Sequence, residues 1–125
     1  MVENSLVRVW ASFQRFAEAC YKATPASATT TVRRNAFQNL EVSNTLWDGA
    51  MGKTYADMLD PAEHRDLVRL VQARHVLNHQ DGIVDADYVA KSGDRRYATG
   101  QRLVVTAAEV RRLADLTEKL AAALA

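Results

Sequence analysis

What the chain lacks narrows it first. Cys20 is its only cysteine, so no intrachain disulfide can form and a reducing compartment is the expected setting. Neither sign of charge dominates, with 16 Lys and Arg against 15 Asp and Glu, a formal +1. No whole-molecule field draws in nucleic acid, and any basic binding surface must be local. No apolar run approaches the roughly 20 residues that cross a bilayer. The opening MVENSLVRVWASFQRF mixes acid and arginine into its apolar pattern, unlike a signal peptide. A soluble, cytoplasmic protein with no membrane contact is expected. Internal repeats and sets of alternating strands are also missing.

What is there reads as helix. With 125 residues, 48% hydrophobic and 25% charged, the chain is expected to be one domain, 1–125, with a core of its own. Leu6, Val9, Trp10, Phe13, Phe16, Ala17 and Cys20 recur at three- and four-residue steps, predicting an amphipathic helix from about Ser5 to Tyr21. The aromatics there are expected in the core, and Cys20 is expected to be inert. ATPASATTT is a loop. Helical spacing resumes with Val32, Ala36, Phe37, Leu40 and Trp47 and ends at GAMG, residues 49–52.

The third helix opens with a strong signal. Asp60 can cap, Pro61 suits the first turn, and Glu63 completes a capping box. QDG at 80–82 closes it, Gly82 being able to turn left-handed. Residues 83–105 are irregular, with RLVV as a short extended piece. The last helix starts at Thr106, with Glu109 as a second capping box. The prediction is an all-α fold, a four- to five-helix bundle with an irregular segment between the third and last long helices.

RHVLNHQDGIVDADY, residues 74–88, raises the functional question. At about 100° per residue, Leu67, Val68, Leu70 and Val71 share one face of the third helix. Arg65, Asp66, Arg69 and Gln72 occupy the other, expected to be wet. Arg74, His75, Asn78 and His79 then span an arc of about 140° that overlaps the apolar face. They are expected on the buried side, facing a cleft or another subunit. Three readings are open. The cluster can be structural, its cations meeting the helix's carboxyl end. His75 and His79 can share a metal ion with His64 or Asp81 as a third ligand. Or the group can act on a phosphodiester, arginine binding phosphate and His79 moving a proton.

Arg74-His75-Val76-Leu77-Asn78-His79 resembles the motif of the HEPN superfamily of small α-helical domains. That motif is an arginine, a polar residue and then a histidine, with four to six residues between Arg and His. HQDGIVDADYV looks like the H-N-x-G-x-V-D-x-x-Y continuation of one HEPN branch. The resemblance covers residues 60–125; over 1–59 it rests on helix count. It implies a metal-independent endoribonuclease without a cofactor, a toxin or antiviral-defence effector whose RNA-cleaving cleft forms at a homodimer interface. Arg74 and His79 would be the catalytic pair and His75 the polar neighbour. Asn78 joins them on geometry alone. An antitoxin or nucleotidyltransferase partner is implied, although Asp81 stands where the nucleotidyltransferase-paired branch has a tyrosine. The alternative is a non-catalytic HEPN-like module that binds RNA or a protein.

Lys91, Arg95, Arg96 and Arg102, with Tyr97 among them, make the local basic stretch. It is either a solvated loop or an RNA-backbone contact with Tyr97 stacking a base. GAMGKT ends like a phosphate loop, but the pattern requires glycine at 47 and the residue is Trp47, which excludes a P-loop NTPase.

Overall fold

The structure, a computed structural model, describes residues 2–125. It is all-α, with no strand among the described residues. Four long helices, α1 (Val2–Lys22), α2 (Leu40–Met51), α4 (Pro61–His79) and α6 (Ala107–Leu124), are joined by two short ones, α3 (Tyr55–Met58) and α5 (Ala86–Ser92).

The helices start where local chemistry says they should. Asp60 accepts from the Glu63 N–H at 2.8 Å while the Glu63 carboxylate accepts from the Asp60 N–H at 2.9 Å. Thr106 and Glu109 make the same reciprocal pair at the head of α6. Each box satisfies donors that a helix start leaves open. Asp81 and Gly82, both at positive φ, follow α4. The Gly82 N–H donates back to the Val76 carbonyl at 3.1 Å, closing the helix end.

Three expectations need correction. The run expected from Val32 is not helical there. Asn35 sits in the left-handed region, a 3-10 turn covers Ala36–Gln38, and α2 starts only after Asn39, whose side chain accepts from the Val42 N–H at 3.0 Å. The segment 83–105 holds α5, capped by Asp85 and ended by Gly93. Its extended piece is reduced to an isolated antiparallel bridge, Ile83 to Arg102. The ATPASATTT loop contains a 3-10 turn over Pro25–Ala28.

α1 lies along α6 and also crosses α4, while α5 covers the other side of α4. Leu6, Trp10, Phe13 and Ala17 project from α1 into the core to meet Leu67, Leu70, Leu113, Leu116 and Leu120. Burying each large aliphatic side chain contributes about 1.5–3 kcal/mol. Phe16, expected with them, is partly exposed. At the far end Tyr21, Phe37 and Trp47 pack ring to ring, centroids 5.4–5.7 Å apart. Both tryptophan indoles are satisfied: Trp47 donates to the Tyr55 hydroxyl at 3.1 Å and Trp10 to the Gln38 carbonyl at 3.2 Å. Burial pushes the Tyr55 hydroxyl up to about 12, keeping it neutral.

The polar flank of α4 is not simply wet. Glu63 pairs with Lys119, Asp66 with Arg112 and Arg69 with Glu109, at 2.7, 3.0 and 2.6 Å. These rungs run antiparallel along α6 and fix its register against α4. Below them lies a buried carboxylate, Asp94. It accepts from the Tyr88 hydroxyl at 2.8 Å, from the Arg96 guanidinium at 3.0 and 2.9 Å, and from the Arg96 N–H at 3.0 Å. Those donors hold the carboxyl well below its ordinary 3.8, while burial and then the bond to the Asp94 carboxylate push the Tyr88 hydroxyl up.

Asp94→Ala would strand the Tyr88 hydroxyl in the core and is expected to cost about 2–3 kcal/mol in urea denaturation at neutral pH. The folded pKa lies below the unfolded one, so the Asp94 contribution is complete above 3.8 and fades as pH falls through the folded value. The gap between wild type and variant should therefore close in that acidic range. A gap that stays constant on acidification would contradict this account.

Candidate functional site

The six-residue motif ends α4, and its side chains have unlike surroundings. Arg74 is 5% exposed. It forms no salt bridge among the described residues, and its Nε has no hydrogen-bond partner. Burial alone lowers the guanidinium's pKa; the charge remains, because arginine does not deprotonate in proteins. His75, Asn78 and His79 are exposed. The expectation that all four lie on the buried side therefore holds for Arg74 only. In the second half of α4 the buried direction turns toward Ala73 and Val76. Val76 lies about 160° around the helix from Arg74, so the His75 and His79 side loses its cover.

The two histidine rings, one turn apart, face each other with centroids 4.8 Å apart. Desolvation pushes His75 below its ordinary 6.5; His79 and Arg74 add to that effect and Asp85 opposes it. Among the described residues no group of three or more His, Cys, Asp or Glu could hold a metal ion. His64, weighed as a third ligand, lines a separate groove with Arg65 and Gly93.

Arg74 and His75 line a cleft of about 130 Å³ between α4, α5 and the start of α2 with the residues just before it. Its other walls come from segments distant in sequence: Gln38, Asn39 and Glu41 on one side, Asp85, Tyr88 and Lys91 on the other. Tyr88 is the residue that Asp94 anchors, so the buried carboxylate also sets one wall of the cleft. Asn78 lies in a different groove, beside Leu77, Gly82 and Arg102. His79 lines neither.

The four expected RNA-backbone cations do not share one surface. Lys91 faces the Arg74 cleft. Arg96 is committed to Asp94 and lies 3.6 Å from Glu109. Arg102 donates to the Asp81 carbonyl at 3.4 Å, and Arg95 is exposed. Tyr97 has Arg96 over its ring at 5.3 Å and its hydroxyl bonded to the Val104 backbone. One face of that ring is thus taken. Sequence reasoning missed Glu41, Gln72, Asp85 and Asp87 as cleft residues; of these only Asp85 and Asp87, inside QDGIVDADY, carried a local signal.

Protein-family models, curated proteins and solved structures were compared with this chain, and none matches.

A buried guanidinium without an acid is a cost to the fold. Unsatisfied buried groups cost about 1–3 kcal/mol, more when charged, and exchanging buried charge for apolar volume is often stabilising. Arg74→Met should therefore leave stability unchanged or raise it by about 1–2 kcal/mol, read as a higher urea midpoint with an unchanged slope. A loss of stability would instead make Arg74 a structural residue.

Proposed function

We propose that the chain is a metal-independent endoribonuclease of HEPN type, a toxin or defence effector that works as a homodimer. The observation that supports this most is Arg74: buried, without a carboxylate partner among the described residues, and open to a cleft one residue from an exposed histidine pair. A cation so placed is prepared for an anion arriving from outside. Phosphate is the natural candidate, since guanidinium offers it two parallel donors. RNA supplies its own nucleophile, the 2′-hydroxyl. Cleavage needs that proton removed, charge on phosphorus stabilised and the leaving oxygen protonated. Arg74 meets the second need. His79 transfers protons, and His75, held below 6.5, stays neutral at pH 7 as an acceptor. Asn78 orients the strand from its neighbouring groove. Lys91, Arg95 and Arg102 contact flanking phosphates, Arg96 contributing least because Asp94 already neutralises it.

Arg74 and His79 do not line a common cleft within one chain. A two-fold copy would bring one chain's histidines to the other's Arg74, which is why the proposal includes a homodimer. The same observation supports the second reading, a helical module that binds RNA or a protein partner through this face without cutting. A cognate antitoxin or nucleotidyltransferase would act by covering the exposed histidines.

Purified protein should cut single-stranded RNA in the presence of chelator. Arg74→Ala and His79→Ala should each lower cleavage at least ~100-fold, the scale of a lost acid–base or charge-stabilising group, while circular dichroism and dimer mass stay unchanged. Protonation of His75 should contribute to a fall in rate on acidification only below 6.5, because its pKa is lowered from that value. RNA bound but uncut, with or without chelator, would select the binding module. Cleavage abolished by chelator would overturn the metal-independent reading.

A further inference from the structure

The Arg74 cleft holds more than a phosphate site requires. Beside Arg74 and Lys91 it is lined by three carboxylates, Glu41, Asp85 and Asp87. None of the three forms a salt bridge among the described residues. Asp85 uses one oxygen to accept from the Tyr88 N–H at 2.8 Å, leaving the other available. The carboxylates do not join into a group that could share a metal ion. Acids in the lining of a phosphate site repel further phosphates, so beside one phosphate the cleft suits a neutral group rich in N–H donors. The cleft's about 130 Å³ far exceeds the ~10–15 Å³ that one water occupies.

We propose that this cleft is a nucleotide pocket selective for guanine, with Arg74 and Lys91 toward the phosphate and the unpaired carboxylates toward the base. The ligand's class rests on the ribonuclease reading; the selectivity comes from the carboxylates. Guanine alone among the four RNA bases presents two adjacent donors, N1–H and the N2 amine, on its pairing edge, and a carboxylate accepts both at once. Adenine and cytosine set a ring-nitrogen lone pair against the carboxylate, and uracil has a single N–H between two carbonyls. Asn39 complements the arrangement. Its Oδ1 is used in capping α2, so its Nδ2 is the side that can donate to a guanine carbonyl. The buried, partnerless Arg74 Nε is the independent sign that the cleft takes a ligand.

The test is calorimetric titration of the whole chain with GMP, AMP, CMP, UMP and IMP, the last lacking only the N2 amine. GMP should bind at least ~10-fold more tightly than AMP, as a bidentate base contact implies, with IMP between them. Arg74→Ala should weaken all five alike. The triple variant Glu41→Gln, Asp85→Asn, Asp87→Asn should bring GMP down to the level of AMP. The fold survives that change, because an asparagine side chain caps a helix as well as an aspartate does. Equal affinity for all bases, no binding of any at millimolar concentration, or a GMP preference that survives the triple variant would each overturn the proposal. If the preference holds but no RNA is cut, the pocket stands and the ribonuclease reading falls. If RNA is cut at every base and the nucleotides bind alike, the reverse is true.

Discussion

Nearly every side of α4 is engaged over most of its length, and the other elements are arranged around that constraint. Leu67, Leu70, Val71, Ala73 and Val76 are buried, Glu63, Asp66 and Arg69 reach α6, and Arg74 is buried beneath α5. A helix with one apolar stripe can roll or slide at modest cost. One fixed on three sides would lose apolar burial, ion pairs and a cleft wall together. Toward its end that cover thins, and there the solvent-facing side chains are His75, Asn78 and His79. The side chains that the proposed chemistry would use are thus ones that α4 leaves open to another molecule.

Two buried charges lie within this arrangement and are treated in opposite ways. Asp94 is surrounded by donors from Tyr88 and Arg96, so its burial is compensated and it holds α5 in place. Arg74 receives no such compensation among the described residues. Domains are stable by only about 5–15 kcal/mol, so even a penalty of about 1–3 kcal/mol is a noticeable share. The low dielectric that makes Arg74 costly also strengthens its attraction for an arriving anion. Stability given up at a cleft can reappear as binding, whereas a buried cation away from any opening would be only a defect.

What was legible in the sequence is what depends on neighbours in the chain. The capping boxes at Asp60 and Thr106, the α1 stripe and the all-α class follow from three- and four-residue spacing and appear in the structure. α5 was equally local, with Asp85 as cap and Gly93 as terminator, but its seven residues are too few to show a period against the charged loop beside them. The Arg69–Glu109 and Asp66–Arg112 pairs join residues about forty positions apart, and no periodicity encodes them. The misplaced arc has a different cause. Unrolling α4 from its first half assumes that one face stays buried along its whole length, whereas the burial direction follows whichever element packs at each level. Arg74 kept its cover and His79 did not, though both sat on the same projected arc.

That division of Arg74 from His79 shapes how the proposed chemistry would have to run. A phosphate held at Arg74 would lie in a cleft whose walls come from α4, α5, the start of α2 and the residues before it, and His79 is not among them. Within one chain the cation and the proton carrier have no common cleft in which to reach the same oxygen. Across a two-fold axis they need none, because each phosphate could lie between one chain's arginine and the other's histidines. A dimer would then be a requirement of the reaction rather than an accessory to stability. The carboxylates of the cleft fit the same logic. On the proposed reading they would subtract from affinity for a polyanion while adding discrimination among bases, and a nuclease that must spare most RNA would gain more from the second effect than it lost by the first.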